Sequence, residues 1–272
     1  MWKTRVATAC VLIGAFLPAL FLLPRPGWLA FAALLLAQAA WEWAGLAGLQ
    51  RVPRAAYAAL IVIALLVLDR VAPAETGQWA YYGSAAFWFV LAPVWLWLRP
   101  AFRSPAVPLA AGILVLVPAC SALVYLRDLG PGLLLAIMIA IWVSDTAAFA
   151  VGRRYGRRKL APHVSPGKTW EGVLGALAGG GVYAWAVGLL LGPRLFAGLS
   201  QGLVHTLGAW VTLLLILVVA GVVGDLLESQ MKRAAGVKDS GSILPGHGGV
   251  LDRIDSLTAS LPLAALALGV VG

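Results

Sequence analysis

Apolar stretches separated by short polar connections run along almost the whole chain. Most of them reach the ~17 to 25 residues that a helix needs to cross the hydrocarbon core of a bilayer. The pattern predicts nine transmembrane helices, at about 6–23, 28–48, 55–72, 83–98, 106–126, 132–151, 171–192, 203–226 and 254–271. We therefore expect an all-α, polytopic integral membrane protein in which residues 1–272 form a single membrane-embedded domain.

The first apolar stretch has the length of a signal-peptide core, but no convincing small-residue cleavage site follows it. The segment Leu22-Leu23-Pro24-Arg25-Pro26 instead has the composition of a turn into the next helix. We expect this first helix to be retained.

Composition excludes an ordinary soluble protein. Hydrophobic residues make up 61% of the chain and the mean hydropathy is +0.91, whereas soluble domains have an apolar share of about 45–50%. Cys10 and Cys120 lie in apolar runs without the spacing of a metal site or a disulfide framework. The cysteines therefore predict neither zinc binding nor a secreted, disulfide-bonded fold.

The placement of the basic residues predicts the orientation in the membrane. The net charge of +9 would suggest a nucleic-acid partner in a soluble protein, but here placement matters more than the sum, and we expect no such partner. With a cytoplasmic N-terminus, nine helices place 16 basic residues on the cytoplasmic side and only four, Arg25, Arg70, Arg127 and Arg194, on the other. Because cytoplasmic loops are enriched in Lys and Arg, we expect this orientation. The size and composition of the chain favour a bacterial inner membrane.

The polar and charged residues that could take part in chemistry are concentrated in two segments, at about 142–172 and 224–256. In the second, four polar residues recur at helical spacing and share one face of a helix that continues the eighth span: Asp225, Glu228, Ser229 and Lys232. A solvated helix end would explain Glu228 and Lys232 equally well. Asp225 directly follows an apolar run, where an ionised carboxylate is costly unless a metal ion, a buried lysine or a substrate phosphate compensates for it.

Two further acids, Asp252 and Asp255, lie at i and i+3 where the ninth span begins. One acid in that position would serve the helix dipole, but two exceed this need. If the eighth and ninth helices are neighbours, Asp225 and Asp252 can converge on one hard cation. Mg²⁺ suits such a site because it takes few carboxylates and completes its shell with phosphate oxygens and water.

Between these acids lie basic and glycine residues that suit an anion: Lys232, Arg233, Lys238 and the run Pro245-Gly246-His247-Gly248-Gly249. Glycines let backbone N–H groups face an anion, and the bases neutralise it. A glycine-rich loop alone is weak support, and His247 is as readily a structural hydrogen-bonder as a proton-transfer group.

The segment 142–172 contributes an acid and a lysine. Asp145 lies within the sixth span, where it is either a site residue or the partner of a base on another helix. The sequence Gly167-Lys168-Thr169 is similar to the end of a P-loop, but Pro162 stands where the first glycine should be and we expect no strand before it. Lys168 can still contact a phosphate at the start of the seventh helix, where Glu171 can complement the dipole.

The residues from 229 to 255 carry a longer pattern: Ser229-x-Met231-Lys232-Arg233, then Lys238-Asp239-x-Gly241, then Leu244-Pro245-x-His247-Gly248-Gly249-Val250-x-Asp252-Arg253-Ile254-Asp255. In this pattern the chain resembles the phosphatidate cytidylyltransferases, also called CDP-diacylglycerol synthases. The elements Asp145-Thr146 and Ser165-Pro166-x-Lys168-Thr169-x-Glu171-Gly172 are also similar to that family. The N-terminal half is similar only in its hydrophobic character.

The resemblance implies a membrane-bound nucleotidyltransferase of phospholipid biosynthesis, which transfers a cytidylyl group from CTP to phosphatidic acid and releases pyrophosphate. It also implies dependence on Mg²⁺, with a second ion such as K⁺. We assign metal binding to Asp225, Asp252 and Asp255, and catalytic roles to Asp225, Asp252, Asp145, Lys168 and Arg233. Substrate contacts are assigned to Ser165, Lys232, Lys238, His247, Gly248, Gly249 and Arg253.

Two other functions stay open at this point. A CTP-dependent lipid-alcohol kinase would use the same nucleotide, and an ion-coupled transporter would also carry acids in glycine-interrupted spans. The charges gather near one membrane face rather than at the midplane, which favours an enzyme. The expected partners are CTP, phosphatidic acid and the lipid bilayer, with a homodimer left open.

Overall fold

The structure is a computed structural model that describes residues 2–71, 74–100, 104–195 and 206–269. Within these residues ten α-helices follow one another: α1 (Trp2–Leu22), α2 (Arg25–Leu46), α3 (Arg51–Val71), α4 (Ala74–Ala86), α5 (Ala92–Leu98), α6 (Ala106–Leu129), α7 (Pro131–Tyr155), α8 (Trp170–Leu195), α9 (Leu207–Ala234) and α10 (Leu251–Gly269). A π-helical turn, Phe87–Leu91, joins α4 to α5. Pro93 has no backbone N–H, and Ala92 donates its own to Phe87 O, which widens the turn.

The prediction of an all-α, polytopic protein is confirmed. Each of the nine predicted spans coincides with helical residues, although residue 72 of the third span, residues 203–205 of the eighth and residues 270–271 of the ninth lie outside the described part of the chain. Among the described residues, seven helical stretches are long and apolar enough to cross a membrane. The first helix adds a shorter apolar stretch, Val6–Leu22, and α10 is more polar because Asp252, Arg253 and Asp255 occupy its first turns.

A small β-hairpin lies between α7 and α8. Strands β1 (Lys159–Ala161) and β2 (Ser165–Thr169) pair antiparallel, with Lys159 opposite Thr169. The expectation that no strand precedes the Gly-Lys-Thr sequence is wrong, because β1 precedes it and β2 contains its three residues. The five residues of β2 include a proline and a glycine, and they lack the apolar alternation that would predict a strand. The sequence lies within the strand rather than in a loop after it, so no P-loop is formed.

Glycines bring the helices around the polar segments into close contact. A Cβ on Gly175 would lie 2.6 Å from Val151 Cβ, and one on Gly179 would lie 2.7 Å from Ala147 Cβ. These residues therefore let α8 pack against α7 at short distance, as small residues do in membrane proteins.

Helices α9 and α10 are neighbours, as the sequence predicts for its eighth and ninth spans. Ser260 Oγ on α10 donates to Leu217 O on α9 at 2.8 Å, and a Cβ on Gly224 would lie 2.6 Å from Asp255 O. The start of α10 therefore lies against the end of α9. This packing places their acidic residues at one end of the bundle.

Ion pairs join three helices at the opposite end. Arg25 at the start of α2 contacts Asp69 Oδ1 on α3 at 2.7 Å and Asp128 Oδ2 on α6 at 2.9 Å. Arg127 donates to Leu20 O at 3.2 Å. Large apolar side chains such as Leu34, Trp97 and Leu190 are exposed on the outside of the bundle, as expected for surfaces that face lipid.

Candidate functional site

Lys168 is placed by the hairpin and by the N-terminus of α8. Thr169 Oγ1 accepts a hydrogen bond from Gly172 N at 3.1 Å, which caps the first turn of the helix. The Glu171 carboxylate accepts the N–H groups of Arg157 and Arg158 at 3.1 to 3.3 Å and ties the connection after α7 to the start of α8. These bonds fix the end of β2, from which Lys168 extends toward α9.

Asp225 on α9 is the partner of Lys168. Their charged atoms, Lys168 Nζ and Asp225 Oδ2, are 2.6 Å apart. Ser229 Oγ, one turn later on α9, donates to Asp225 Oδ1 at 3.2 Å. Of the three groups that could compensate Asp225, the structure therefore shows a lysine.

Two more acids lie near this ion pair. Asp145 on α7 and Asp255 on α10 both lie within the electrostatic influence of Asp225 and of Lys168. Asp145 is exposed, whereas Asp225 and Asp255 are half-buried. Three carboxylates from three helices thus share one lysine, which leaves an excess of negative charge that a cation can neutralise. We call Asp145, Lys168, Asp225 and Asp255 the acidic cluster.

A second network lies beside the acidic cluster. Lys232 Nζ contacts Glu228 Oε2 at 2.5 Å and Asp252 Oδ1 at 2.7 Å. Both acids are buried, so Lys232 compensates two carboxylates that have little access to water. The polar residues predicted to share one face of α9 therefore lie on one side of the helix. They divide between two groups, with Asp225 in the acidic cluster and Glu228 in this network.

The loop before α10 holds the other oxygen of Asp252. Asp252 Oδ2 accepts from Ser240 N at 2.8 Å, from Ser240 Oγ at 2.9 Å and from Gly249 N at 2.8 Å. Gly248 has a φ of +84°, and a Cβ there would lie 2.6 Å from Asp252 Oδ2. Gly248 and Gly249 contact Asp252 here, so the Gly249 N–H is already engaged, and their assignment to the substrate stays a prediction.

Glu42 on α2 is a site residue that the sequence reasoning missed. Its carboxylate is buried and accepts hydrogen bonds from Val250 N at 3.0 Å and Leu251 N at 2.8 Å. Ser240 Oγ lies 3.0 Å from Glu42 Oε2. A signal was present, because Glu42 is an acid inside an apolar span, and the cost argument applied to Asp145 holds equally for it.

The remaining predicted residues lie around these networks. Arg233, Lys238 and Arg253 are exposed, and Arg233 Nε donates to Val164 O of the hairpin at 3.4 Å. His247 N donates to Leu244 O at 2.8 Å within a tight turn, and its Nδ1 is buried without a hydrogen-bond partner among the described residues. Ser165 lies at the first position of β2, half-buried.

The predicted metal ligands do not form one set. Among the described residues, no three His, Cys, Asp or Glu side chains lie close enough to hold a metal ion. Asp252 has both oxygens engaged by Lys232, Ser240 and Gly249, while Asp225 belongs to the acidic cluster. The ligand set Asp225, Asp252 and Asp255 therefore does not fit a metal ion in this arrangement, and its metal-binding role stays a prediction.

A cavity of about 630 Å³ lies on another face of α9. Its lining combines apolar and basic side chains: Leu46, Trp95, Arg99, His163, Met231 and Arg233. Neither Asp225 nor Asp252 lines it. The cavity therefore borders the site at Arg233 but does not contain the acidic residues.

Comparison with known proteins gives matches along the full chain. A sequence profile of the Cytidylyltransferase family matches residues 3–271. The phosphatidate cytidylyltransferase of Pseudomonas aeruginosa is 41% identical over 279 residues, which cover 100% of this chain and 98% of the relative. That of Haemophilus influenzae is 35% identical over 291 residues, covering 96% of each chain. The likeness includes the N-terminal half and its Glu42-bearing helix, and the chain belongs to the cytidylyltransferase family.

Proposed function

We propose that this protein transfers a cytidylyl group from CTP to phosphatidic acid and forms CDP-diacylglycerol and pyrophosphate. The family and the names of its two full-length relatives support this reaction. The observation that carries the proposal is the Lys168–Asp225 ion pair at 2.6 Å, set among further acids at the end of a helical membrane bundle. A charged site at the end of a membrane bundle suits a reaction between a water-soluble nucleotide and a lipid phosphate.

The reaction needs alignment and charge neutralisation more than proton transfer. A phosphatidate oxygen attacks the α-phosphorus of CTP, and a new P–O bond forms. The bond from the α-phosphorus to the oxygen that bridges to the β-phosphate breaks, and pyrophosphate leaves with the electron pair. Because the attacking phosphate is already anionic, the protein has to position the two phosphates and stabilise the charge that builds up between them.

Lys168 and Lys232 are the bases best held for that task. Each ammonium group has three N–H donors, and carboxylates engage Lys168 once and Lys232 twice. Each lysine therefore keeps at least one donor for a phosphate oxygen while the ion pairs fix its position. This preorganisation is what makes a cation effective toward charge that develops during a reaction.

The exposed bases complete the proposed phosphate site. Arg233, Lys238 and Arg253 lie at the same end of the bundle as the acidic cluster and are accessible. Basic side chains around an entrance raise the local concentration of anionic substrates. We assign them to the triphosphate or the lipid phosphate, together with Ser165, His247, Gly248 and Gly249 as predicted contacts.

A divalent cation such as Mg²⁺, with a second ion such as K⁺, belongs to the proposal. The excess negative charge of the acidic cluster supports it, since within the described part of the chain its three carboxylates are set against the single charge of Lys168. Mg²⁺ takes its remaining ligands from phosphate oxygens and water.

The location is part of the proposal as well. The helical bundle and the bacterial relatives support an integral membrane protein. We propose a bacterial inner membrane with the acidic cluster on the cytoplasmic side, where CTP is available. A homodimer stays a prediction.

Position-specific labelling of CTP tests the reaction. Purified protein in detergent is given phosphatidic acid and CTP labelled at either the α- or the γ-phosphorus. Label that enters the lipid from the α position, with release of pyrophosphate, supports the proposal. Label that enters a lipid alcohol from the γ position indicates a kinase, and CTP-independent substrate uptake into proteoliposomes without either product indicates a transporter. Asp225→Asn serves as the inactive control.

A further inference from the structure

Glu42 lies far from the active-site segments in sequence, yet its side chain is built into the loop that carries Asp252. We propose that Glu42 is a positioning residue for the reaction. It holds the loop from Ser240 to Leu251 in the conformation that directs Asp252 toward Lys232. This inference rests on the proposed function where it is tested by turnover.

The hydrogen bonds of Glu42 to backbone N–H groups lie at the α10 end of that loop. Oε1 accepts from Val250 N at 3.0 Å and from Gln38 Nε2 at 2.8 Å, and Oε2 accepts from Leu251 N at 2.8 Å. The N–H groups of residues 250 and 251 belong to the start of α10, where no intrahelical partner exists for them. A carboxylate at this point satisfies them and complements the positive end of the helix dipole.

Two glycines of the loop allow Glu42 to come this close. A Cβ on Gly249 would lie 2.4 Å from Glu42 Oε2, and one on Gly241 would lie 2.7 Å from Glu42 Oε1. Any side chain at either position would push the loop away from α2. The shape of the loop is therefore fitted to a carboxylate that enters from outside it.

Ser240 connects Glu42 to Asp252. Its hydroxyl oxygen lies 3.0 Å from Glu42 Oε2 and 2.9 Å from Asp252 Oδ2. A serine hydroxyl has one proton and can donate to only one of the two carboxylates at a time. Glu42 thus acts on Asp252 through a shared hydroxyl, while Asp252 contacts Lys232 directly at 2.7 Å.

The test compares Glu42→Gln with Ser240→Ala and with a control at the opposite end of the bundle. Glutamine keeps the size of the side chain but turns an N–H₂ group toward backbone N–H or hydroxyl donors, so the loop loses an acceptor. Asp69→Asn is the control, because it also removes a carboxylate that joins helices, through Arg25. A small displacement of a reacting group can cost about 100-fold in rate.

We expect Glu42→Gln to lower kcat by about 10- to 100-fold, with the KM for CTP changed less than about threefold. Asp69→Asn keeps kcat within about twofold of wild type, at a similar loss of thermal stability. Because both changes act through one bridge, adding Ser240→Ala to Glu42→Gln should cost less than the product of the two single effects. A kcat loss no larger than that of Asp69→Asn overturns the proposal, as do fully multiplicative effects.

Hydrogen exchange tests the same inference without turnover. Glu42→Gln should speed the exchange of amides in residues 240–251, whereas Asp69→Asn should leave that loop unchanged. Unaltered exchange in the loop would contradict the role of Glu42 even if the protein used another substrate. If the wild-type protein makes no CDP-diacylglycerol, the proposed function is overturned. If amides of the loop still exchange faster in the Glu42→Gln variant, the positioning role of Glu42 is supported independently of that function. If Glu42→Gln cannot be purified, Ser240→Ala alone must lower kcat and loosen the loop, or the proposal fails.

Discussion

Lys168 Nζ lies 2.6 Å from Asp225 Oδ2, so one ion pair joins the β-hairpin to α9 at the centre of the acidic cluster. Neither residue has another charged partner at such short distance among the described residues, whereas the charge of Asp225 acts on both Asp145 and Asp255. The pair therefore fixes the position of Lys168, and the positive charge of Lys168 offsets the repulsion among the three carboxylates. Its two members can be tested separately and together.

Lys168→Met should lower kcat/KM by about 100-fold or more, because removing a preorganised cation from a phosphate-transfer site costs that much. It should also lower the thermal midpoint, since Asp225 loses the one lysine that pairs with it among the described residues. Adding Asp225→Asn should restore part of the stability by removing one uncompensated carboxylate. Activity should stay low in the double variant.

Lys159→Met on β1 provides the matched control for that variant, because it removes an exposed lysine from the same hairpin. Its kcat/KM should stay within about threefold of wild type. Equal losses in Lys159→Met and Lys168→Met would mean that the hairpin needs positive charge in general, and the specific role of Lys168 would be lost.

Asp252→Asn should reduce turnover by about 100-fold or more while the protein stays folded and membrane-inserted. The amide would keep an oxygen for Ser240 N and Gly249 N but would present an N–H₂ group to Lys232, so the lysine loses a partner. Turnover and thermal midpoint in detergent are measured together. The exposed neighbour Asp239 supplies the control, since Asp239→Asn should retain activity, and near-normal turnover of Asp252→Asn would remove Asp252 from the site.

The sequence predicts well what depends on helical period and on the cost of buried charge. The spacing from Asp225 to Lys232 places these residues on one face of α9, and the apolar pattern predicts that α9 and α10 are helices. Neither signal applies to Ser240, whose bonds to Asp252 depend on how an irregular loop closes. The hairpin could not be predicted from the sequence because β2 contains Pro166 and Gly167. The pairing of Lys168 with Asp225 depends on that hairpin, so it could not be predicted either.

Gly249→Ala should lower both stability and kcat. The added methyl would lie 2.3 Å from Ser240 Oγ and 2.4 Å from Glu42 Oε2, so the loop must move, at a cost of about 1–3 kcal/mol for overpacking. Gly236→Ala is the comparison, because Gly236 has a φ of +70° but nothing within 4 Å of its added Cβ. That variant should lose about 1 kcal/mol through backbone strain and keep its kcat, whereas normal kcat in Gly249→Ala would show that the loop tolerates displacement.

Chelation of divalent cations should stop turnover, and added Mg²⁺ should restore it. If the acidic cluster holds the ion, Asp255→Asn should raise the Mg²⁺ concentration for half-maximal rate by about tenfold, because one charged oxygen ligand becomes a neutral amide. Asp69→Asn, at the far end of the bundle, should leave that concentration unchanged. Full turnover in the presence of a chelator would remove the ion from the proposed reaction.

The orientation can be tested by labelling single cysteines in intact cells. In a background with Cys10 and Cys120 replaced by alanine, Lys238→Cys reports on the acidic end and Arg70→Cys on the opposite end, and both parent side chains are exposed. A membrane-impermeant maleimide added outside should label position 70 only, and should label position 238 after permeabilisation. The distribution of basic residues predicts this result, because Lys and Arg are enriched on the cytoplasmic side. Labelling of position 238 in intact cells would place the acidic cluster outside, away from CTP, and the proposed reaction could not take place there.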